Sequence, residues 1–315
     1  MRVVVARTLP AAGLDRLSAR YDVASGGVPL DRAWLEEQVA GADALVADPT
    51  VPVDGALLDR AGAALKVVAN FAAGYDNIDT EAVRERGVRA TNTPDVLTDA
   101  TAELAVTLML AAGRRVVETD RILRRGEWTG WEPEQFLGLQ MREATVGLVG
   151  LGRIGGRVAE LLAGFGAQLV FTSRHRNDEA AARYDARQVE LEELLAIADF
   201  VSLHVALTPE TKHIIDAAAL ARCKPGAVLV NTGRGALVDT AALVGALRDG
   251  PLAAAGLDVY ENEPAVPAEL VALPNTVLLP HVGSATRLTR DAMATLCADN
   301  VIAVLDGKEP STPIV

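Results

Sequence analysis

The chain has 315 residues, half of them hydrophobic and 23% charged, a globular composition and a length that suggests two domains. A formal net charge of −12 argues against the basic face that a nucleic-acid or anionic-membrane partner requires, so any anionic ligand must be held by local positive groups. Cys223 and Cys297 stand far apart in no metal-ligand spacing, no apolar run reaches the length of a membrane span, and the N-terminus enters a strand too early for a signal-peptide core; the expectation is a cytoplasmic protein with two inert thiols and no metal.

In chain order, strand-like and helix-like segments alternate, which predicts an α/β fold with parallel sheets. Residues 3–6, 44–47, 67–71 and 88–91 read as strands, with helices near 31–39, 54–61 and 80–86 and Gly87 as a C-cap. A long helix is predicted from about 98 to 118. No charge interrupts it between Leu104 and Ala112, so it is expected to be buried all round, at a domain or subunit interface. A second series begins at Thr145, with strands at 146–149, 169–172, 200–203, 228–230, 253–257 and 277–279. An amphipathic helix over about 286–305 closes the chain.

Residues 147–155 read Gly-Leu-Val-Gly-Leu-Gly-Arg-Ile-Gly, a strand, a glycine turn and a helix start. Gly150 permits a sharp turn, Gly152 lets a pyrophosphate approach the backbone, and Gly155 lets the helix pack closely on its strand. Arg153 and Ile154 open that helix, whose N-terminus offers free N–H groups and a positive dipole end to phosphate. The alternative is a tight turn without a ligand. The strand before it and the apolar spacing of Ile154, Val158, Leu161 and Leu162 after it favour a dinucleotide site. About twenty residues on, an NAD site carries an acid for the ribose hydroxyls. Here Ser173 stands in that place, followed by Arg174, His175 and Arg176. An Arg there accommodates a 2′-phosphate, so NADP(H) is the expected preference and NAD(H) the other possibility; a solvated basic loop is the bland alternative.

Ligands of open parallel sheets bind outside the carboxyl ends of the strands. Three successive strands deliver chemistry there: Asn231-Thr232-Gly233-Arg234 after the first, Asp258 with Glu261 and Glu263 after the second, and His281 after the third. A guanidinium binds a carboxylate through two parallel hydrogen bonds, which suits Arg234 to a 2-oxo acid. His281 is the natural general acid for the carbonyl oxygen. A carboxylate beside it favours the proton-bearing form and fixes the tautomer; Glu263 is the candidate and Glu261 competes with it. His204 and His213 read as structural, with no carboxylate partner evident for either. Trp34 reads as helix packing. Trp128 and Trp131 fall in an irregular segment, where they either pack at a dimer interface or, for Trp131, reach a neighbouring subunit's site.

These segments, with residues 70–79 and 92–103, resemble the D-isomer-specific 2-hydroxyacid dehydrogenase family over essentially the whole chain. Residues 126–138 look closest to its glyoxylate/hydroxypyruvate reductase branch. The resemblance implies a two-domain α/β fold: a flavodoxin-like substrate domain over 1–98 and 286–315, and a Rossmann dinucleotide-binding domain over 99–285. It implies a catalytic trio of Arg234, Glu263 and His281, the spacing to Pro264 favouring Glu263 over Glu261. It places Ala72, Ala73 and Gly74 at the substrate carboxylate, Thr232 and Gly233 along the nicotinamide, and Asp258 near its carboxamide. It further implies a homodimer joined through the cofactor domains. Asp48-Pro49 departs from the family pattern, since apolar residues usually stand there near the substrate side chain. The implied activity is reduction of glyoxylate or hydroxypyruvate. Phosphoglycerate, D-lactate or phosphite dehydrogenation, or nucleotide sensing without catalysis, are the alternatives.

Overall fold

The computed structural model describes residues 1–315. The chain runs β1 (Arg2–Val5), α1 (Ala11–Ser18), β2 (Asp22–Ser25), α2 (Arg32–Gln38), β3 (Ala44–Ala47), α3 (Gly55–Ala61), β4 (Val67–Asn70), α4 (Thr80–Glu85) and β5 (Arg89–Thr91). Next come α5 (Thr98–Gly113), α6 (Val116–Arg124), β6 (Thr145–Val149), α7 (Arg153–Ala163), β7 (Gln168–Thr172), α8 (Asp178–Tyr184), β8 (Ala186–Gln188), α9 (Leu191–Ile197) and β9 (Phe200–Leu203). It ends with α10 (Ala217–Ala221), β10 (Ala227–Asn231), a 3-10 turn (Gly235–Leu237), α11 (Thr240–Arg248), β11 (Leu252–Leu257), α12 (Ala268–Ala272), β12 (Thr276–Leu278) and α13 (Arg287–Leu305).

The chain forms two compact units, Met1–Leu97 with Ser284–Val315, and Thr98–Gly283. The first boundary falls one residue, and the second two residues, before the positions read from the sequence. In the first unit five parallel strands lie in the order β2-β1-β3-β4-β5. The apolar runs of β1, β3 and β4 are buried on both faces, as a helix-covered parallel sheet requires. Asp31, Asp54 and Asp79 each cap a helix by accepting the N–H three residues on, at 3.0, 2.8 and 2.9 Å. Helix α13 packs on α1 and β4. That crossing needs Gly13, because a Cβ there would lie 2.4 Å from the Ala294 carbonyl oxygen.

The second unit holds seven parallel strands in the order β12-β11-β10-β9-β6-β7-β8. β6 therefore lies between β7 and β9, and the strand order reverses there, the topological switch point at which such sheets bind ligands. The single long helix expected over 98–118 is two helices. It breaks where Arg115 takes a left-handed conformation (φ 55°), and Leu139 N–H donates to the Gly113 carbonyl at 2.8 Å. The buried face of α5, including Ala105, Leu108, Met109 and Ala112, packs in this unit's own core against β10, β11 and α7. The helix is not buried all round within this unit: Leu104, Leu110 and Ala111 are half-buried and Thr107 is exposed.

Candidate active site

At the switch point β6 ends in the glycine turn. Gly150 sits at φ 95°, and a Cβ there would press within 2.9 Å of the His204 carbonyl oxygen. A Cβ on Gly155 would lie 2.2 Å from the Gly150 carbonyl oxygen, so the helix could not approach its strand with a larger residue. Around Gly152 the space is open, and as the N-cap of α7 it supplies no side-chain acceptor. The first turn of α7 thus receives no capping bond from its N-cap residue. Two further polar atoms on adjacent strand ends are buried with no partner, His204 Nε2 after β9 and Thr232 Oγ1 after β10. Buried polar groups are ordinarily satisfied. These two, beside an uncapped helix end and an open glycine, fit a bound dinucleotide, which Gly150, Gly152, Gly155 and Thr232 would hold.

Burial pushes the His204 imidazole down to about 4. As pH falls from 6.5, the unfolded chain takes up this proton first, so the stability is full above 6.5 and is lost progressively toward pH 4, by about 3 kcal/mol in all. Melting temperatures of the unliganded protein and of His204→Asn, measured across that range, should show the shallower pH slope for the variant; equal slopes would contradict a buried neutral imidazole.

Past β7, the Ser173 hydroxyl donates to the His175 carbonyl at 2.7 Å and accepts from Gln188 Nε2 at 3.0 Å. Arg176 pairs with Asp178 at 2.8 Å. Arg174 and His175 are exposed, and the Arg174 charge acts on the Glu210 carboxylate. With Gln188 these residues line a hollow of about 990 Å³. The Ser173 hydrogen is already engaged, so the cation that faces an anion here is Arg174.

The three strand ends carrying Arg234, Glu263 and His281 come together in the second unit. Asn231, which ends β10, shapes the first turn: its Oδ1 accepts the Gly233 N–H at 3.0 Å and its Nδ2 donates to the Arg234 carbonyl at 2.8 Å. Gly235 follows pressed on the next loop, where a Cβ would overlap the Tyr260 carbonyl carbon at 1.8 Å. After β11, Asp258 is 1% exposed, and its two carboxylate oxygens each accept a backbone N–H, from Val282 and Gly283, at 2.7 Å. Both oxygens thus grip the turn behind His281. Burial raises the Asp258 carboxyl, against the pull of those two amides and of His281.

His281 itself sits at φ 55°, a left-handed conformation that costs a non-glycine residue energy and clusters at functional sites. Its N–H donates to the Asp258 carbonyl at 2.9 Å. Its Nδ1 lies 2.7 Å from Glu263 Oε2, while Glu263 Oε1 accepts the Tyr260 N–H at 2.9 Å. Burial would raise the Glu263 carboxyl, but the His281 hydrogen bond and charge, the Tyr260 N–H and the Arg234 charge together hold it below its usual range. The competitor Glu261 is engaged elsewhere: it meets His213 Nε2 at 2.6 Å and accepts the Thr240 N–H at 3.0 Å. His213 thus has the carboxylate partner that the sequence did not reveal, because 48 residues separate the two.

In the first unit, the loop after β4 is fixed through its carbonyls. Ala72 O accepts from Thr93 N–H at 2.8 Å, Ala73 O from Asn92 Nδ2 at 2.7 Å, and Gly74 O from Asn70 Nδ2 at 2.9 Å. In a planar trans peptide the N–H points opposite its carbonyl. Each pinned carbonyl therefore turns the N–H of Ala73, Gly74 or Tyr75 away from the framework, and successive unbonded N–H groups make an anion-binding concavity. Asp48 does not present a bare charge beside this loop. Arg7 Nη1 pairs with it at 3.1 Å, and the Thr50 N–H and hydroxyl donate to its other oxygen at 2.9 and 2.6 Å.

Comparison with known proteins agrees with this geometry. Residues 106–283 match the D-isomer specific 2-hydroxyacid dehydrogenase NAD-binding domain. The chain is 47% identical to the glyoxylate reductase of Thermococcus litoralis, over 98% of this chain and 95% of that one. It is 46% identical to that of Aeropyrum pernix, over 98% and 94%. A crystal structure of a Thermus thermophilus protein superposes with a TM-score of 0.94 at 48% identity, covering 100% of both chains. The NADPH-dependent glyoxylate/hydroxypyruvate reductase of Sinorhizobium meliloti, solved with NADP and malonate, gives a TM-score of 0.88 at 35% identity, covering 100% of this chain and 96% of that one. A glycine turn at a sheet's switch point, strand ends carrying Arg234, Glu263 and His281, and near-full-length likeness to these reductases lead to one conclusion: the chain belongs to the D-isomer-specific 2-hydroxyacid dehydrogenase family of oxidoreductases, in its glyoxylate reductase branch.

Proposed function

We propose that the protein reduces glyoxylate or hydroxypyruvate to the corresponding 2-hydroxy acid, with NADPH preferred over NADH. The observation that carries the reading is the 2.7 Å contact between His281 Nδ1 and Glu263. Glu263 accepts the hydrogen bond of the Nδ1–H, which leaves Nε2 as the ring nitrogen free to act on substrate. Glu263 also stabilises the protonated imidazole, so His281 holds a proton at Nε2 for the carbonyl oxygen. Arg234 binds the substrate carboxylate and polarises the adjacent carbonyl. Bound nicotinamide supplies the hydride to the carbonyl carbon. Asp258 holds the 281–283 turn, and Gly235 lets the Arg234 loop lie against the loop that carries Glu263.

The cofactor preference is supported by the exposed Arg174 and by the lack of an acid at Ser173. A homodimer is supported by a run of exposed apolar side chains in and after α6, namely Val116, Leu123, Trp128, Trp131 and Leu137. Reduced-cofactor absorbance followed with glyoxylate, hydroxypyruvate, pyruvate and phenylpyruvate, under both NADPH and NADH, tests the whole reading. The two small oxo acids with NADPH should give the highest kcat/KM. Turnover of none of the four would instead favour a nucleotide-sensing protein.

A further inference from the structure

The second unit contains a side chain that organises the cofactor-selecting loop without belonging to it. Gln188 ends β8, the edge strand, which pairs with β7 so that Gln188 is in register with Phe171. That register places its amide beneath the loop that leaves β7. Gln188 Nε2 donates to Ser173 Oγ at 3.0 Å and to the His175 carbonyl at 3.0 Å, while its Oε1 accepts the Asn177 N–H at 2.8 Å. The Ser173 hydroxyl closes the figure with its own 2.7 Å bond to the His175 carbonyl. One amide thus ties three points of a five-residue loop.

The chemical consequence follows from which groups are engaged. The His175 carbonyl receives two hydrogen bonds from the Gln188 side, so it points toward Gln188. By peptide planarity the Arg176 N–H points the other way. A carbonyl that would repel a phosphate is turned inward, and the Arg176 amide hydrogen is turned outward. Asn177, whose backbone N–H is engaged with Gln188, also caps α8 through its side chain, which accepts the Ala180 N–H at 3.0 Å, so the far end of the loop is anchored to a helix. The loop is held in one shape before any ligand arrives, and such preorganisation lowers the cost of binding.

We infer that Gln188 is a positioning residue for cofactor choice: it holds the 173–177 loop in the form that accepts the 2′-phosphate monoester of an adenine nucleotide. The inference rests on the NADP(H) reading above and names the residue that makes the loop selective. Neither the glycine pattern nor the basic run pointed to it, because its contribution comes from an adjacent strand.

The test is binding, measured by titration calorimetry on the full chain with adenosine 2′,5′-bisphosphate and adenosine 5′-monophosphate as probes. Gln188→Ala and Gln188→Met are the variants; the second keeps the length of the side chain and loses its hydrogen bonds. Each should weaken the bisphosphate about tenfold and change the monophosphate less than twofold, with KM for NADPH rising and kcat unchanged. Gln188→Glu, which cannot donate to the His175 carbonyl and adds a negative charge, should lose more of the bisphosphate affinity than either. If the unaltered protein binds both probes equally, the NADP(H) reading fails and the inference with it. If it prefers the bisphosphate and both neutral variants keep that preference, or lose affinity for both probes alike, Gln188 is not the positioning residue and the NADP(H) reading stands.

Discussion

His281→Ala should lower kcat by about two to four orders of magnitude, the usual contribution of a positioned general acid, while KM for the oxo acid moves much less. The geometry sets this expectation. Glu263 fixes the ring through Nδ1 at 2.7 Å, and the Asp258 carbonyl fixes the backbone through the His281 N–H at 2.9 Å. The imidazole is therefore aimed before substrate arrives, and its loss removes a proton donor that water can replace only without orientation. Glu263→Gln should approach the same loss, because an amide no longer stabilises the protonated ring and permits the wrong tautomer. The Glu263 carboxyl lies below its usual range, so what it adds to folding is present above about 4.5 and disappears as pH falls through its own lowered value. Steady-state kinetics of both variants check the assignment. A His281→Ala enzyme within tenfold of normal kcat would remove His281 from the proton transfer.

Ser173→Asp combined with Arg174→Asp should shift the ratio of kcat/KM for NADPH over that for NADH toward NADH by about two to three orders of magnitude. Loss of a charge-assisted bond to phosphate accounts for roughly 1.5–3 kcal/mol, and the new carboxylates repel the 2′-phosphate while accepting the ribose hydroxyls. Arg174 is the residue whose removal matters most, since Arg176 is already paired with Asp178. Kinetics with both cofactors at saturating glyoxylate decide the matter. An unmoved ratio would mean that the loop after β7 does not read the 2′ position.

The parts of this site that were readable in the sequence are those fixed by local rules. The glycine turn, the 231–235 segment and the positions of Glu263 and His281 follow from strand ends and residue chemistry, and strands such as β3 and β9 begin and end where their apolar runs do. The hidden parts depend on distance along the chain. The pairing of His213 with Glu261 and the support from Gln188 each join segments brought together only by the sheet order. β2, with the sequence Asp-Val-Ala-Ser, went unread because it is a half-exposed edge strand with too few apolar residues to show a period. α1 has only two fully buried residues, Gly13 and Leu17, and one of them is a glycine required by a close crossing, a constraint that hydrophobic spacing does not display. The break after α5 was marked by Gly113, but the uncharged run before it carried the helical pattern past that point.

The discontinuity of the first unit has a consequence for synthesis. Its sheet is complete once β5 emerges, yet α13, which packs on α1 and β4 with Cys297 against the Ala69 carbonyl, is made about two hundred residues later. At ribosomal speed that interval is on the order of ten to forty seconds. Throughout it the nascent unit exposes an apolar sheet face, while the whole Thr98–Gly283 unit is made and free to fold. The usual order is therefore inverted: the unit that begins the protein is the last to close, and the molecule's exposure to chaperones and aggregation is greatest while its first ninety-odd residues wait for the last thirty.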